Sequence, residues 1–369
     1  MSIRSLIMPP NSPLPGAPPG DSTGGSTGDS TGFELVDMTT ALGQDPDGNP
    51  PTPPVARATH WECSHILTGH RSWVRSVAVS SDGNFVVSGS GDKTVRVWNL
   101  ATGHSMLTID SHQAWVRAVA IHPDRTSFAS VSNDNTVQLW DFANGQSLGE
   151  LRGHNDWVRA VAFSPDGQYL FSGGQDNKIC VWRLGDSGAD TRSKSVSERC
   201  AKHTLVHRFN GHSHWVRAIA VSHDGTTLIS GSQDHTIRLY RLQGKGTNRV
   251  LSGHQGEVLA VAASPNNWLL ASASADGTVR FWKLNSGRQT TCFKAHPAPV
   301  NGLAFSPDGK LLATASNDTT IRLWDMDQGR LVSILRGHEG WVWGVDFAPD
   351  GKTLVSAGWD GTVRVWRAQ

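Results

Sequence analysis

The sequence predicts an all-β fold, a seven-bladed β-propeller whose blades are four-stranded antiparallel sheets, and three observations lead to it. A histidine recurs seven times in steps of 42 residues, with one step of 58 between His154 and His212. Each repeat contains four short runs rich in valine, isoleucine, leucine and aromatic residues. The last repeat lacks its fourth run, and a spare run precedes the first repeat. A period near 42 with four strands per unit is typical of propeller blades.

Residues 1–59 differ in composition from the repeats. They contain clustered prolines and the tract DSTGGSTGDSTG. Such a composition cannot bury enough apolar surface to offset the entropy of ordering, so we predict a disordered N-terminal tail. The tail could tether the propeller to a partner, be the remnant of a longer fused protein, or only improve solubility.

The first repeat shows the predicted strands, which are Trp73–Ser80, Phe85–Ser90, Thr94–Leu100 and His104–Ile109. A turn of the Pro-Asp-Gly type separates the first two strands in several repeats, as at Ser164–Gly167. Proline presets φ at the first corner and glycine accepts the positive φ that follows, so these segments are hairpin turns and not phosphate-binding loops.

The two ends of the repeat region are predicted to meet. The chain ends at Gln369, directly after the third strand of the seventh repeat, while residues 60–67 precede Gly69-His70 just as 330–335 precede Gly337-His338. We predict that 60–67 pairs with 362–366 and closes the ring, because closure removes exposed sheet edges. The propeller then spans 60–369, with a polar insertion at about 185–201 between the third and fourth strands of blade three.

The repeat resembles the WD-repeat family of β-propellers over all of 60–369. The resemblance is carried by the Gly-His pair, by an aspartate 22 residues after the histidine, and by an aromatic residue six further on. Two pairs differ, Ser111-His112 and Ala295-His296, and the Trp-Asp ending is present only at Trp140-Asp141 and Trp324-Asp325.

The resemblance implies a hydrogen-bonded group of four in each blade, completed by a serine or threonine four positions before the aspartate. Indole only donates, aspartate only accepts, and hydroxyl and imidazole do both, so the four can satisfy one another when buried. A Ser-His-Asp set also suggests a hydrolase, but a hydroxyl beneath tryptophan and seven equivalent copies favour a structural role. Tyr240 is the single exception to tryptophan, which predicts that blade four is the weakest. The seven tetrads are His70, Ser88, Asp92 and Trp98; His112, Ser130, Asp134 and Trp140; His154, Ser172, Asp176 and Trp182; His212, Ser230, Asp234 and Tyr240; His254, Ser272, Asp276 and Trp282; His296, Thr314, Asp318 and Trp324; and His338, Ser356, Asp360 and Trp366.

The repeats differ at three positions that the resemblance places on the face with the histidine loops: three and five residues after the histidine, and one before the aspartate. Blades one to four each present a tryptophan and an arginine there, blade seven presents three tryptophans, and blades five and six present neither type. Tryptophan and arginine dominate binding hot spots. The alternative is that these tryptophans only pack between loops. The candidate partner-binding residues are Trp73, Arg75, Trp115, Arg117, Trp157, Arg159, Trp215, Arg217, Trp341, Trp343 and Trp359.

Composition narrows the classes of function. The formal net charge is +1 and the pI is near 7.8, so the overall charge does not attract nucleic acid or an anionic membrane. No apolar run reaches the ~18 residues that span a bilayer, and the start lacks a signal-peptide pattern. The four cysteines show no paired spacing, as expected of reduced thiols. We expect a cytoplasmic protein without a membrane partner, a cofactor or a metal ion.

The function predicted from these observations is a non-enzymatic scaffold or adaptor that binds a partner protein through the tryptophans and arginines. An acidic or phosphorylated peptide would suit the four arginines. The alternatives are a regulatory or sensor module of a signalling assembly, such as one containing a kinase, an enzyme that uses the central channel, and a platform for single-stranded nucleic acid or a ribonucleoprotein. Nucleic acid is disfavoured because no lysine-rich groove accompanies the arginines. The oligomeric state is open.

Overall fold

The computed structural model describes residues 60–110, 112–185, 203–242 and 248–369. All regular secondary structure in these ranges is β-strand, arranged as seven four-stranded antiparallel sheets. The predicted all-β propeller is therefore confirmed. The predicted tail 1–59 and nearly all of the predicted insertion 185–201 lie outside the described residues.

Blades one to four follow one another along the chain, and in each the first strand is innermost. Blade one contains β2 (Val74–Val79), β3 (Phe85–Ser90), β4 (Thr94–Asn99) and β5 (Ser105–Asp110). Blade two contains β6 (Val116–Ile121), β7 (Ser127–Ser132), β8 (Thr136–Asp141) and β9 (Ser147–Arg152). Blade three contains β10 (Val158–Phe163), β11 (Tyr169–Gly174), β12 (Lys178–Arg183) and β13 (Thr204–Asn210). Blade four contains β14 (Val216–Val221), β15 (Thr227–Ser232), β16 (Ile237–Arg241) and β17 (Arg249–Leu251).

Blades five to seven continue the ring, and the last takes a strand from the beginning of the propeller. Blade five contains β18 (Val258–Ala263), β19 (Leu269–Ser274), β20 (Thr278–Lys283) and β21 (Gln289–Lys294). Blade six contains β22 (Val300–Phe305), β23 (Leu311–Ser316), β24 (Ile321–Asp325) and β25 (Arg330–Leu335). Blade seven contains β26 (Val342–Phe347), β27 (Thr353–Gly358), β28 (Val363–Ala368) and β1 (Trp61–Leu67).

The ring closes as the sequence predicts. Strand β1 pairs antiparallel with β28, with Trp61 opposite Ala368 and Leu67 opposite Val363. The inner strands β26 and β2 are neighbours at the same seam. The N-terminal strand therefore supplies the fourth strand that the last repeat lacks.

The core lies between the blades. The described residues form seven apolar clusters, and each cluster joins two neighbouring blades. At the closing seam, Leu67 and Trp98 pack with Val363 and Val365. Because each blade buries both faces against its neighbours, its strands read as nearly continuous apolar runs.

Every inner strand carries a β-bulge at the same place. The register of β2 against β3 shifts between Val74 and Ser76, which leaves Arg75 as the extra residue. The same shift occurs in the other six inner strands. A bulge redirects the side chain of its extra residue, and such features are common beside functional sites. The fifth residue after each histidine is therefore held in the bulge.

Candidate functional site

Each tetrad is a chain of hydrogen bonds inside its blade. The histidine Nε2 lies 2.7–2.8 Å from the serine or threonine hydroxyl in all seven blades. The histidine Nδ1 lies 2.8–3.1 Å from the aspartate. Six indoles donate to the hydroxyl at 2.8–3.0 Å. With the imidazole proton on Nδ1, every polar group of the chain has a partner.

The tetrad aspartates also accept bonds that the sequence analysis did not predict. Asp92 accepts from the backbone N–H of Arg71 at 2.8 Å and from the Thr94 hydroxyl at 2.6 Å. Burial alone would raise the pKa of Asp92, but the bonds from His70 and Thr94 hold that pKa below its ordinary value. A threonine stands two residues after the aspartate in six of the seven repeats, which was the signal for this contact.

In blades three and six the pKa of the tetrad histidine is shifted in opposite directions. Burial alone would lower the pKa of His154, but hydrogen bonds with Asp176 and Cys180 raise it to about 9. In blade six the place of Cys180 is taken by Arg322. Burial lowers the pKa of His296 despite its bond to Asp318, and the charge of Arg322 adds to the lowering.

The tetrads offer no accessible nucleophile. All seven tetrad hydroxyl residues are fully buried, each with 0% exposure. A substrate could not reach these oxygens without opening the blade. In blade four the Tyr240 ring packs against Phe209 with 4.4 Å between centroids. Burial raises the pKa of the Tyr240 phenol, while an interaction with the Ser230 hydroxyl acts in the opposite direction.

The predicted tryptophans and arginines form a continuous series of contacts that we call the Trp/Arg arc. It comprises the eleven residues Trp73, Arg75, Trp115, Arg117, Trp157, Arg159, Trp215, Arg217, Trp341, Trp343 and Trp359. The arc crosses the closing seam, because the Trp73 ring lies 5.3 Å from that of Trp343 and 5.4 Å from that of Trp115. The structure therefore brings all the predicted candidates into one chain of contacts, from blade seven to blade four.

Within the arc, arginine and tryptophan alternate. The guanidinium of Arg117 lies 5.2–5.6 Å from the ring centroids of Trp73, Trp115 and Trp157. Arg159 lies over Trp157 at 5.4 Å and over Trp215 at 4.4 Å. Such cation–π contacts attract a guanidinium to an aromatic ring without neutralising its charge.

The tryptophans differ in accessibility. Trp359 and Trp115 are 38% and 37% exposed, whereas Trp73 is only 9% exposed. Trp73 packs over Gly91, where an added Cβ would come within 2.4 Å of its ring. Trp73 thus supports its neighbours, and Trp115 and Trp359 present the accessible apolar area.

The rings of blade seven form a compact group. Trp343 lies 5.5 Å from Trp359 and 6.3 Å from Trp341, centroid to centroid, and Trp341 lies 5.6 Å from Trp359. The guanidinium of Arg75 from blade one lies 4.8 Å from the Trp343 ring. An apolar end of the arc in blade seven therefore adjoins its charged part.

The arginines have partners that the sequence analysis missed. Arg117 donates to the Asn133 amide oxygen at 2.7 Å, and Arg159 donates to that of Gln175 at 2.5 Å. Both acceptors are neutral. Asn133 and Gln175 each directly precede the tetrad aspartate. The sequence placed this position on the face with the histidine loops but indicated no role for these two residues.

Arg217 differs from the other arginines because its partner is a carboxylate. Its guanidinium donates to Glu257 of blade five at 2.5 Å, and the side-chain amide of Gln233 donates to the other Glu257 oxygen at 2.6 Å. Glu257 stands where the preceding blades have tryptophan. In the sequence, the signal for this ion pair was a carboxylate at that position in the blade that follows an arginine-bearing blade.

The arginines also affect one another. Burial lowers the pKa of Arg117, and the neighbouring charges of Arg159, Arg75 and Arg217 lower it further. Burial lowers the pKa of Arg75, and the charge of Arg217 acts in the same direction. The four arginines therefore repel one another, and each guanidinium extends from the bulge of its inner strand.

A separate cavity of about 410 Å³ opens between blades three and four. Tyr169, Phe171, His207, Phe209 and Arg241 contribute to its wall. It lies at the ends of the inner strands that carry the Pro-Asp-Gly turns, away from the Trp/Arg arc. In the described ranges no group of three or more His, Cys, Asp or Glu side chains could hold a metal ion. No helix there is long and apolar enough to cross a membrane.

Comparison with known proteins gives a family model and several short matches to curated relatives. A pre-mRNA-splicing factor prp46 from Emericella nidulans is 41% identical over 73 residues, which is 20% of this chain and 16% of that protein. The small ribosomal subunit protein RACK1y from Oryza sativa subsp. japonica is 38% identical over 73 residues, 20% of each chain. A ribosome biogenesis protein BOP1 homolog from Drosophila grimshawi is 48% identical over 48 residues, 13% of this chain and 6% of that protein. The matches thus span a fifth or less of these relatives.

The family model describes the WD domain, G-beta repeat, and it matches seven segments. These are residues 61–99, 103–141, 145–183, 203–241, 246–283, 287–325 and 329–367. Each segment ends with the third strand of a blade and begins with the strand that precedes its histidine. Because the seven segments together cover more than half of the sequence, the chain belongs to the WD-repeat family of β-propellers.

Proposed function

We propose that this protein is a non-catalytic scaffold that binds a partner protein through the Trp/Arg arc. The observation that carries the proposal is the unbroken chain of ring and guanidinium contacts from Trp359 to Arg217. Accessible tryptophans beside positioned arginines are the residue types on which binding energy concentrates. The rigid ring of blades holds them in place before a partner arrives, which reduces the entropy lost on binding.

The chemistry of the arc favours an acidic or phosphorylated segment of the partner. Arg117 and Arg159 contact neutral amides and indoles, so their charges are available to an anionic group. The tryptophans of blade seven offer an adjoining apolar surface for aliphatic or aromatic side chains. A segment with an apolar anchor next to an acidic stretch would match both parts of the arc.

A non-catalytic role agrees with the burial of the tetrad hydroxyls, since the Ser-His-Asp sets cannot meet a substrate. The inner strands also argue against catalysis in the channel. Asp346 is their one acidic residue and stands where the other six inner strands have alanine. A single carboxylate provides no acid–base pair.

A ribonucleoprotein partner is the second candidate function. It is favoured by the names of the relatives, which include a splicing factor and a small ribosomal subunit protein. Tryptophan and arginine planes could stack on the bases of single-stranded RNA. Because the matches to these relatives are short, RNA binding requires its own test. A sensor role in a signalling assembly and a cytoplasmic location stay predictions of the sequence.

The experiment compares the partners that wild type and variants capture from the native cell, by quantitative mass spectrometry. We expect Trp343→Ala/Trp359→Ala and Arg117→Ala/Arg159→Ala each to lose the main partner. Removing one hot-spot tryptophan weakens binding by about 2 kcal/mol or more, roughly thirtyfold. Trp268→Ala is the matched control, because Trp268 is partly buried on blade five outside the arc.

Unchanged partners in both double variants would place the binding surface elsewhere. Capture repeated after ribonuclease treatment separates the two candidate functions. A partner that persists supports direct protein binding, and one that disappears supports the ribonucleoprotein alternative.

A further inference from the structure

The charged part of the arc has the features of a built oxyanion site. We propose that Arg75, Arg117 and Arg159 together bind the dianion of a phosphate monoester, and that Glu257 is an internal carboxylate that bounds this site at blade four. The inference rests on the proposed function, because it names the ligand chemistry of the same surface. It specifies that the ligand carries two negative charges, and it names Glu257 as a residue that competes with the ligand.

The three arginines occupy equivalent positions on neighbouring inner strands. Each arginine is the extra residue of a β-bulge on its inner strand, so all three leave their strands at the same level of the ring. Arg117 and Arg159 share the Trp157 ring, at 5.6 Å and 5.4 Å from its centroid. The indole rings and the bonds to Asn133 and Gln175 position the guanidinium groups of Arg117 and Arg159, and an oxyanion would take their remaining N–H groups.

Glu257 is an anion already bound by an arginine and an amide in blade four. Its carboxylate takes one bond from Arg217 and one from Gln233, at 2.5 Å and 2.6 Å. This pair of an arginine and an amide recurs in blade three as Arg159 with Gln175. The residue of blade four that is equivalent to Glu257 of blade five is Trp215, which carries no negative charge. Glu257 therefore shows how an arginine and an amide of this ring bind an anion. In blade three the same two residue types bond to each other, with the Arg159 guanidinium on the Gln175 oxygen and no carboxylate between them.

The charged groups around the three arginines are mostly positive. The charged groups that perturb Arg117 are three other arginines, and the group that perturbs Arg75 is also an arginine. Carboxylates do reach Arg159, since Asp156 and Glu257 oppose the lowering of its pKa. A single carboxylate ligand would leave much of the remaining positive charge uncompensated. A phosphate monoester carries about −1.5 to −2 at neutral pH and three acceptor oxygens, so it matches the site better.

The test is a calorimetric titration of the full-length protein with phenyl phosphate and with benzoate. The two probes share a phenyl ring and differ in charge and in the number of oxygens. Fluorescence of the arc tryptophans gives a second readout, because the ligand would lie beside Trp157 and Trp115. We expect phenyl phosphate to bind at least about tenfold more tightly than benzoate, the effect of one further charge-assisted hydrogen bond. Equal affinity for the two probes would overturn the proposal.

Arginine variants distinguish binding at this site from nonspecific attraction of phenyl phosphate to positive charge. Arg117→Gln should weaken phenyl phosphate binding by about tenfold, and Arg117→Lys should lose less, because lysine keeps the charge but not the planar donors. Arg183→Gln removes the same charge from an exposed position at the end of β12 and should change nothing. Should Arg117→Gln fail to fold, Arg75→Gln makes the same test. An Arg183→Gln variant that loses as much as Arg117→Gln would contradict the proposal.

The Glu257→Gln variant is expected to bind phenyl phosphate more tightly than wild type. Without the internal carboxylate, Arg217 joins the other three arginines, so phenyl phosphate should bind at least about threefold more tightly. Unchanged or weaker binding would refute the competing role of Glu257. A degenerate phosphoserine peptide library then shows whether a protein-borne phosphate is preferred to the free monoester. If phenyl phosphate fails to bind while the arc variants still lose their partner, this inference fails and the proposed function stands.

Discussion

Replacing Ser88 with alanine removes the one atom that joins Trp98 to His70 in blade one. The Ser88 hydroxyl accepts from the Trp98 indole at 2.8 Å and bonds to His70 Nε2 at 2.8 Å. Trp98 is 1% exposed and Ser88 is 0% exposed, so water cannot replace the missing hydroxyl. The alanine side chain keeps Cβ, which limits the cavity to one oxygen atom.

The magnitude follows from the two groups that lose their partner. Leaving a buried donor or acceptor unsatisfied costs about 1–3 kcal/mol. Two such groups, the indole N–H and the imidazole nitrogen, predict a loss of about 2–6 kcal/mol in the free energy of unfolding. The assay is urea unfolding at pH 7, with both the midpoint and the slope compared between variants.

Two matched variants give the contrast. Ser81→Ala removes an exposed hydroxyl of the same blade, which bonds to the Pro123 carbonyl at 3.0 Å, and should change stability by no more than about 0.5 kcal/mol. Ser230→Ala should destabilise less than Ser88→Ala, because the Tyr240 phenol can rotate toward another partner and an indole N–H cannot. A Ser88→Ala protein within about 0.5 kcal/mol of wild type would refute the buried-tetrad argument.

Three further predictions follow. Deletion of residues 60–67 should abolish soluble folded protein, because it exposes the edge of β28; an unchanged melting temperature would contradict ring closure. The seven tetrad aspartates have a lowered pKa when folded, so their stabilisation is present above their ordinary pKa of 3.8 and is lost as the pH falls through the folded values. The free energy of unfolding should therefore fall steeply below pH 4, by up to about 1.4 kcal/mol per pH unit for each proton taken up. Urea unfolding would show this as a falling midpoint, and a midpoint that does not change with pH would refute it. Burial raises the folded-state pKa of Asp346 to about 6, so its ionisation destabilises the fold as the pH rises, and Asp346→Asn should unfold at higher urea at pH 8 but not at pH 4.

The fold could be predicted because its main constraints are local and repeated. The distance of 22 residues from histidine to aspartate is set within one blade, and it is the same in all seven copies. The closing strand followed from counting strands, and β1 and β28 pair as expected. The predicted limits of the first repeat's strands differ from those in the structure by about one residue at some ends. At Trp73 the backbone carbonyl instead accepts from Gly91 in the adjacent loop, outside the strand ladder.

The details of the arc could not be predicted, because they depend on contacts between blades. Sequence position treats Trp73 and Trp115 as equivalent, yet Trp73 lies beneath its neighbours and Trp115 is accessible. The bulge that redirects Arg75 has no signature in composition. The ion pair of Arg217 with Glu257 joins residues of two repeats, so the carboxylate in the sequence points to it only when the arrangement of neighbouring blades is known.

The central claim is that a partner binds on the Trp/Arg arc, and site-specific photocrosslinking tests it most directly. A benzophenone amino acid placed at Trp359, or at Trp115, should crosslink the partner in the native cell. The same probe at Trp268, which is partly buried outside the arc, should leave the partner uncrosslinked. Crosslinking from position 268 with none from positions 115 and 359 would contradict the account.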